Sequence, residues 1–80
     1  MEEEIVKTIL RKLVYMGKWD HSHTSFDNLP KGFPGHLRGE VKIVAEKLIK
    51  RGLLLCKPTS YGREVSLNSD RKKEIEELLR

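Results

Sequence analysis

Phe33-Pro34-Gly35-His36-Leu37 opens, and Arg51-Gly52-Leu53-Leu54-Leu55 closes, the stretch whose reading decides the fold. Proline lacks a backbone donor and glycine is entropically costly to order, so Phe33-Pro34-Gly35 cannot lie inside a helix, whereas proline suits a first helical turn. From there apolar residues fall at Leu37, Val41, Val44, Ala45 and Leu48, the spacing of one buried helical face. Lys50 and Arg51 put positive charge beside the last carbonyls, and Gly52 is a natural left-handed cap. The pattern predicts a helix over Pro34 to Arg51.

Working outward, Leu53-Leu54-Leu55-Cys56-Lys57 reads as a strand stopped by Pro58. Glu64-Val65-Ser66-Leu67-Asn68 alternates polar with apolar, which places Val65 and Leu67 on one buried face. Between them Thr59-Ser60-Tyr61-Gly62-Arg63 has turn chemistry, with Gly62 able to take a positive φ. Upstream, Glu2 to Met16 predicts a helix with apolar residues at Ile5, Val6, Ile9, Leu10, Leu13 and Val14. That stripe is wide enough to touch two neighbours, leaving Val6, Leu10 or Val14 for a partner chain. Glu2, Glu3 and Glu4 complement its dipole and Gly17 is a plausible cap. Lys18 to Thr24 is polar and irregular, with Trp19 as its anchor. Thr24 or Ser25 caps a short helix over Phe26 to Lys31, with Phe26, Leu29 and Phe33 as core contacts. Asn68 or Ser69 caps a last helix, Asp70 to Arg80, that buries Ile75, Leu78 and Leu79.

Helix, strand, turn and strand in this order resemble the end of a winged helix-turn-helix. Arg51-Gly52-Leu53-Leu54 would join the recognition helix to the wing, and Tyr61-Gly62-Arg63 would be the wing tip. More narrowly, Leu29-Pro30-Lys31-Gly32-Phe33-Pro34 followed by Tyr61-Gly62-Arg63-Glu64-Val65-Ser66-Leu67-Asn68 is similar to small, stand-alone winged-helix proteins of archaea. The resemblance covers the whole chain. It implies a mostly helical α+β fold: a three-helix core, a wing sheet of two or three strands, and a C-terminal helix. It also implies a short strand at His23-Thr24-Ser25 joining the wing sheet.

Eighty residues make one domain, near the size below which a single core becomes marginal, and a homodimer is one way to gain buried area. The lone Cys56 excludes an internal disulfide and favours a reducing, cytoplasmic setting. No apolar run reaches membrane-spanning length, and the first residues carry no signal-peptide pattern. Net charge is +4, unevenly placed: residues 18–63 carry nine basic and four acidic groups, giving +5. The excess coincides with the central helix and the hairpin, which suits a polyanion such as double-stranded DNA.

A DNA-binding winged helix would lay the Pro34–Arg51 helix in the major groove and its wing along the backbone. Phosphate contacts would come from Lys31, Arg38, Lys42, Lys57 and Arg63, with Tyr61 on a phosphate or sugar and His36 near the helix start. At about 100° per residue, the side opposite the buried stripe presents Gly35, Gly39, Lys42, Ile43 and Glu46. Glu46 would be repelled by phosphates, whereas Gly35, Gly39 and Ile43 form a smooth surface open to close approach by nucleic acid or a protein element. A protein-interaction module using Gly39 and Ile43 is therefore the rival reading, and RNA or ribosome binding by shape is another. His21, His23, His36 and Cys56 include zinc donors but lack paired-cysteine or helical His-x-x-x-His spacing, so no metal or other cofactor is expected. No nucleophile–base pair or phosphate-cradling glycine loop is present, and catalysis is not expected.

Overall fold

The computed structural model describes residues 2–80, an α+β arrangement of three α-helices and a three-stranded antiparallel sheet. Helix α1 is Glu2–Tyr15, strand β1 Thr24–Ser25, helix α2 Arg38–Lys50, strands β2 and β3 Leu54–Thr59 and Gly62–Leu67, and helix α3 Lys72–Leu78. The sheet order is β1-β3-β2, so β3 is central and β2 an edge.

Both long helices end as their glycines require. Gly17 (φ 67°) and Gly52 (φ 80°) take the left-handed conformation. Gly17 and Lys18 donate to the carbonyls of Val14 and Leu13, and Gly52 and Leu53 to those of Ile49 and Leu48. This paired bonding satisfies carbonyls a helix would otherwise leave open. After Gly52 the chain buries Leu53 completely before entering β2. The helix-to-sheet corner is thereby fixed on both sides.

The core joins one face of each element. Ile5, Ile9, Leu10 and Leu13 of α1 meet Val41, Val44, Ala45 and Leu48 of α2, closed by Leu54, Val65 and Leu67 of the sheet and Ile75 of α3. Phe26 and Leu29 are also buried, while Trp19, Phe33, Leu78 and Leu79 pack partly covered against the cluster.

Several sequence expectations need correction. The helix expected over Pro34–Arg51 begins as a 3-10 turn, Gly35–Leu37, with Pro34 as its cap, and becomes α-helical only at Arg38. Leu37 is accordingly half-buried and outside the core. The helix expected over Phe26–Lys31 is a single 3-10 turn, Phe26–Asn28, capped by the Ser25 hydroxyl accepting from the Asp27 amide. Pro30 and Gly32 lie too close downstream to let it grow. The strand at His23-Thr24-Ser25 forms over its last two residues, pairing Thr24 with Val65 and Ser25 with Glu64. Leu10 faces the core and cannot serve a partner chain, whereas Val14 is exposed. The last helix is likewise shorter, a 3-10 turn at Ser69–Arg71 followed by α3, with Asn68 as the cap that accepts from the Asp70 amide.

Pro58 does not stop β2. Leu67 uses its amide and carbonyl toward Lys18 and Asp20, away from β2. By the antiparallel alternation, Leu54 opposite it, and then Cys56 and Pro58, aim their backbone polar groups at the open edge. A missing N–H costs no ladder bond there and blunts the edge against further pairing. The tip of the hairpin is correspondingly Ser60-Tyr61, with Gly62 and Arg63 already inside β3.

Ser66, on the sheet face opposite Val65, is fully buried because the Lys18–Ser22 segment folds across it and its hydroxyl donates to the Asp20 carbonyl at 2.8 Å.

Ile9→Ala should cost about 2–5 kcal/mol, the usual range for truncating a buried Ile or Leu. The exposed Ile43→Asp should stay within about 0.5 kcal/mol. Urea denaturation of the two variants checks the assignment of core and surface.

Candidate nucleic-acid interface

The outward side of α2 is built by helical spacing and confirmed by exposure. Gly35, His36, Arg38, Gly39 and Lys42 are exposed, and Ile43 is 59% exposed. Lys50 falls on the same side, two helical turns beyond Ile43, and extends this surface. The opposite flank is spoken for: Lys47 pairs with Glu2 of α1 at 3.1 Å and Arg51 with Glu74 of α3 at 3.2 Å. Glu40 shares the Lys47 flank by spacing.

Arg63 does not join the outward cations. On β3 it shares the inner face with Val65 and Leu67, and its guanidinium reaches α2, gripping both carboxylate oxygens of Glu46 in a forked pair. The same guanidinium carbon lies 4.1 Å from the centre of the Phe26 ring, a cation–π contact. Arg63 is therefore a clamp between hairpin, helix and 3-10 turn. The expectation that it contacts phosphate has to be set aside for this conformation. The pairing also changes Glu46, the acid that stood in the way of a polyanion: hydrogen bonding from Arg63 holds its carboxyl below the usual carboxylate range, and Arg63 is raised in turn.

Lys57 and Tyr61 sit elsewhere on the hairpin. Lys57 lies directly opposite Glu64 on the outer face of the sheet, where His23 Nδ1 also stands 3.9 Å from Glu64 Oε1. Tyr61, at the tip, is 99% exposed. Lys31 borders a cleft against α1, not far from its own carbonyl's bond to Lys12. Of the seven nucleic-acid candidates, the structure groups His36, Arg38 and Lys42 on one surface, places Tyr61 at the hairpin tip, and leaves Lys31, Lys57 and Arg63 to other surroundings.

Two residues were missed by sequence reasoning. Lys50 could have been found by continuing the same 100° count one turn further. Lys12 could not, since its neighbours in sequence look like an ordinary solvated face. Its ammonium donates to the carbonyls of Asn28 and Lys31 at 3.3 and 3.1 Å and so ties α1 to the turn before α2. His21, His23, His36 and Cys56 form no group of three or more metal-ligating side chains among the described residues, and no helix there is long and apolar enough to cross a membrane.

Comparison with models of protein families, with curated proteins and with solved structures finds no match.

The clamp has a definite pH signature. Because the Glu46 carboxyl titrates below its unfolded value, the pair contributes fully above the usual carboxylate range and is lost as pH falls through the lowered folded value. A carboxyl-detected NMR titration should find the Glu46 midpoint below that range in the native protein, and shifted up into it in Arg63→Ala.

Proposed function

We propose that this chain is a winged-helix protein that binds double-stranded DNA, most simply as a transcription-associated regulator. In this reading α2 enters the major groove and the β2–β3 hairpin rests on the backbone. The element order and the three-stranded sheet are consistent with such a layout. The observation that carries the reading is the Arg63–Glu46 pair. It neutralises the one acid on the outward side of α2, so that Arg38, Lys42 and Lys50 act there without an opposing charge. Gly35 and Gly39 allow the helix to approach closely, and Ile43 is placed to touch a thymine methyl.

The roles divide accordingly. Arg38, Lys42 and Lys50 supply phosphate contacts, with Lys57 as a fourth from the hairpin, His36 marks the helix start, and Tyr61 packs on a sugar or bonds a phosphate. Arg63 acts indirectly, by holding the hairpin against α2. Double-stranded RNA is a poorer substrate for this geometry, since its deep, narrow major groove does not admit a helix.

Three to four phosphate contacts, at roughly −0.9 per contact, should give a log–log salt slope between about −2.7 and −3.6 for duplex DNA. Arg38→Ala and Lys42→Ala should each flatten it by about 0.9 with melting unchanged. Arg63→Ala should weaken binding, because it leaves Glu46 as an unpaired acid on the outward side of α2 and unties the hairpin from that helix. Failure to bind any duplex at about 50 mM salt contradicts the reading. If Ile43→Asp abolishes self-association or capture of a defined protein partner while duplex binding persists, the exposed Gly39–Ile43 surface is a protein contact instead.

A further inference from the structure

A second surface, on α1, has a different chemistry. Between α1 and the segment Thr24–Lys31 lies a cleft of about 190 Å³. Its floor is apolar, from Leu13, Leu29 and Met16, and its rim carries Lys12 and Lys31. Asn28 is held in place at one wall by donating to the Thr24 hydroxyl at 3.1 Å. Past Lys12 the cleft runs into a shallow depression bounded by Thr8, Arg11 and Tyr15.

Lys12 is the informative residue. It is half-buried, and two of its three N–H bonds go to the carbonyls of Asn28 and Lys31. Those carbonyls fix the ammonium in position but do not cancel its charge. Among the described residues no carboxylate pairs with Lys12, Arg11 or Lys31, although four Lys or Arg pairs with glutamate form in the same small protein. No acid lines the cleft or the depression either. Two cations, one of them immobilised with a donor to spare, thus flank the apolar floor, and Arg11 adds a third at the adjoining depression.

Two side chains of this surface are equally unlike a solvated face: Tyr15, bounding the depression, is 91% exposed, and Met16, lining the cleft, 42%. Tyrosine, methionine and arginine are enriched where proteins meet proteins. An exposed tyrosine and methionine beside unneutralised cations have the composition of an interaction patch.

We propose that this surface docks an acidic protein segment: an apolar side chain enters the cleft over Leu13, Leu29 and Met16, and flanking carboxylates meet Lys12, Arg11 and Lys31. Charge complementarity selects the occupant, because the cleft and the depression together offer three cations and no anion. The cleft's narrow, aliphatic floor suits a side chain better than a nucleic-acid strand, which needs successive flat platforms for its bases. The proposal does not depend on the α2 surface. It would let the protein hold DNA and a protein partner on separate faces.

The test uses the full chain and a terminally blocked peptide in which aspartates and glutamates flank a Leu-Phe pair. Fluorescence anisotropy should show saturable binding, and amide NMR shifts should centre on Met16, Asn28 and Lys31. The double variant R11E/K31E changes exposed side chains and leaves the backbone acceptors of Lys12 intact, so it should weaken the peptide by about tenfold or more without altering melting. A peptide with serines in place of Leu-Phe should lose a similar factor, while Arg38→Ala/Lys42→Ala should bind the original peptide as well as the native chain. No saturation by about 1 mM overturns the proposal. So do shifts confined to α2 and the hairpin, equal affinity for the serine peptide, or an oligothymidine strand that binds the α1 surface more tightly than the peptide.

Discussion

The guanidinium of Arg63 is where the hairpin, the central helix and the turn before it are held together. It grips Glu46 on α2 and lies over the ring of Phe26, and it does so from a strand whose next two inward residues are core. Both partners remain partly exposed, at 38% and 45%, so the pair is screened and its worth to overall stability is small. Its importance lies in position. It sets where the hairpin stands relative to α2, and it offsets the negative charge on the outward side of that helix.

Much of the scaffold was legible. The 3.6-residue pattern of α1 and α2, the glycine stops at Gly17 and Gly52, and the alternation of Val65 with Leu67 were sufficient to order the elements. Where the reading slipped, the missing information was tertiary. Pro58 breaks a central strand but not an edge, and being an edge is not a local property. Whether Phe26–Asn28 grows past one turn depends on Pro30 and on Lys12 reaching across from another helix. Arg63 is the instructive case. The same alternation that buried Val65 and Leu67 already put Arg63 on the inner face, so its turn toward α2 was readable. Its partner was not, since nothing in the sequence says which residue of α2 lies 17 positions back across the hairpin.

The charges of this small chain are unevenly paired. On the sides where elements meet, cations are matched: Lys47 with Glu2, Arg51 and Arg71 with Glu74, Arg63 with Glu46. On the outward side of α2 and along the α1 cleft they are not. Net charge alone could not distinguish a uniformly solvated surface from this pattern, because pairing decides which charges a partner feels. The unmatched sets differ in what lies between them, glycines and one isoleucine on α2, an aliphatic cleft beside α1. That difference is the basis for assigning them different partners.

The most direct measurement of the central claim is an amide chemical-shift footprint of the native chain on adding a short mixed-sequence DNA duplex at low salt. The account predicts that the resonances of Gly39, Lys42, Ile43 and Tyr61 move together and saturate together. Perturbations absent from α2 and the hairpin tip, or confined to Arg11 and Tyr15, would contradict it.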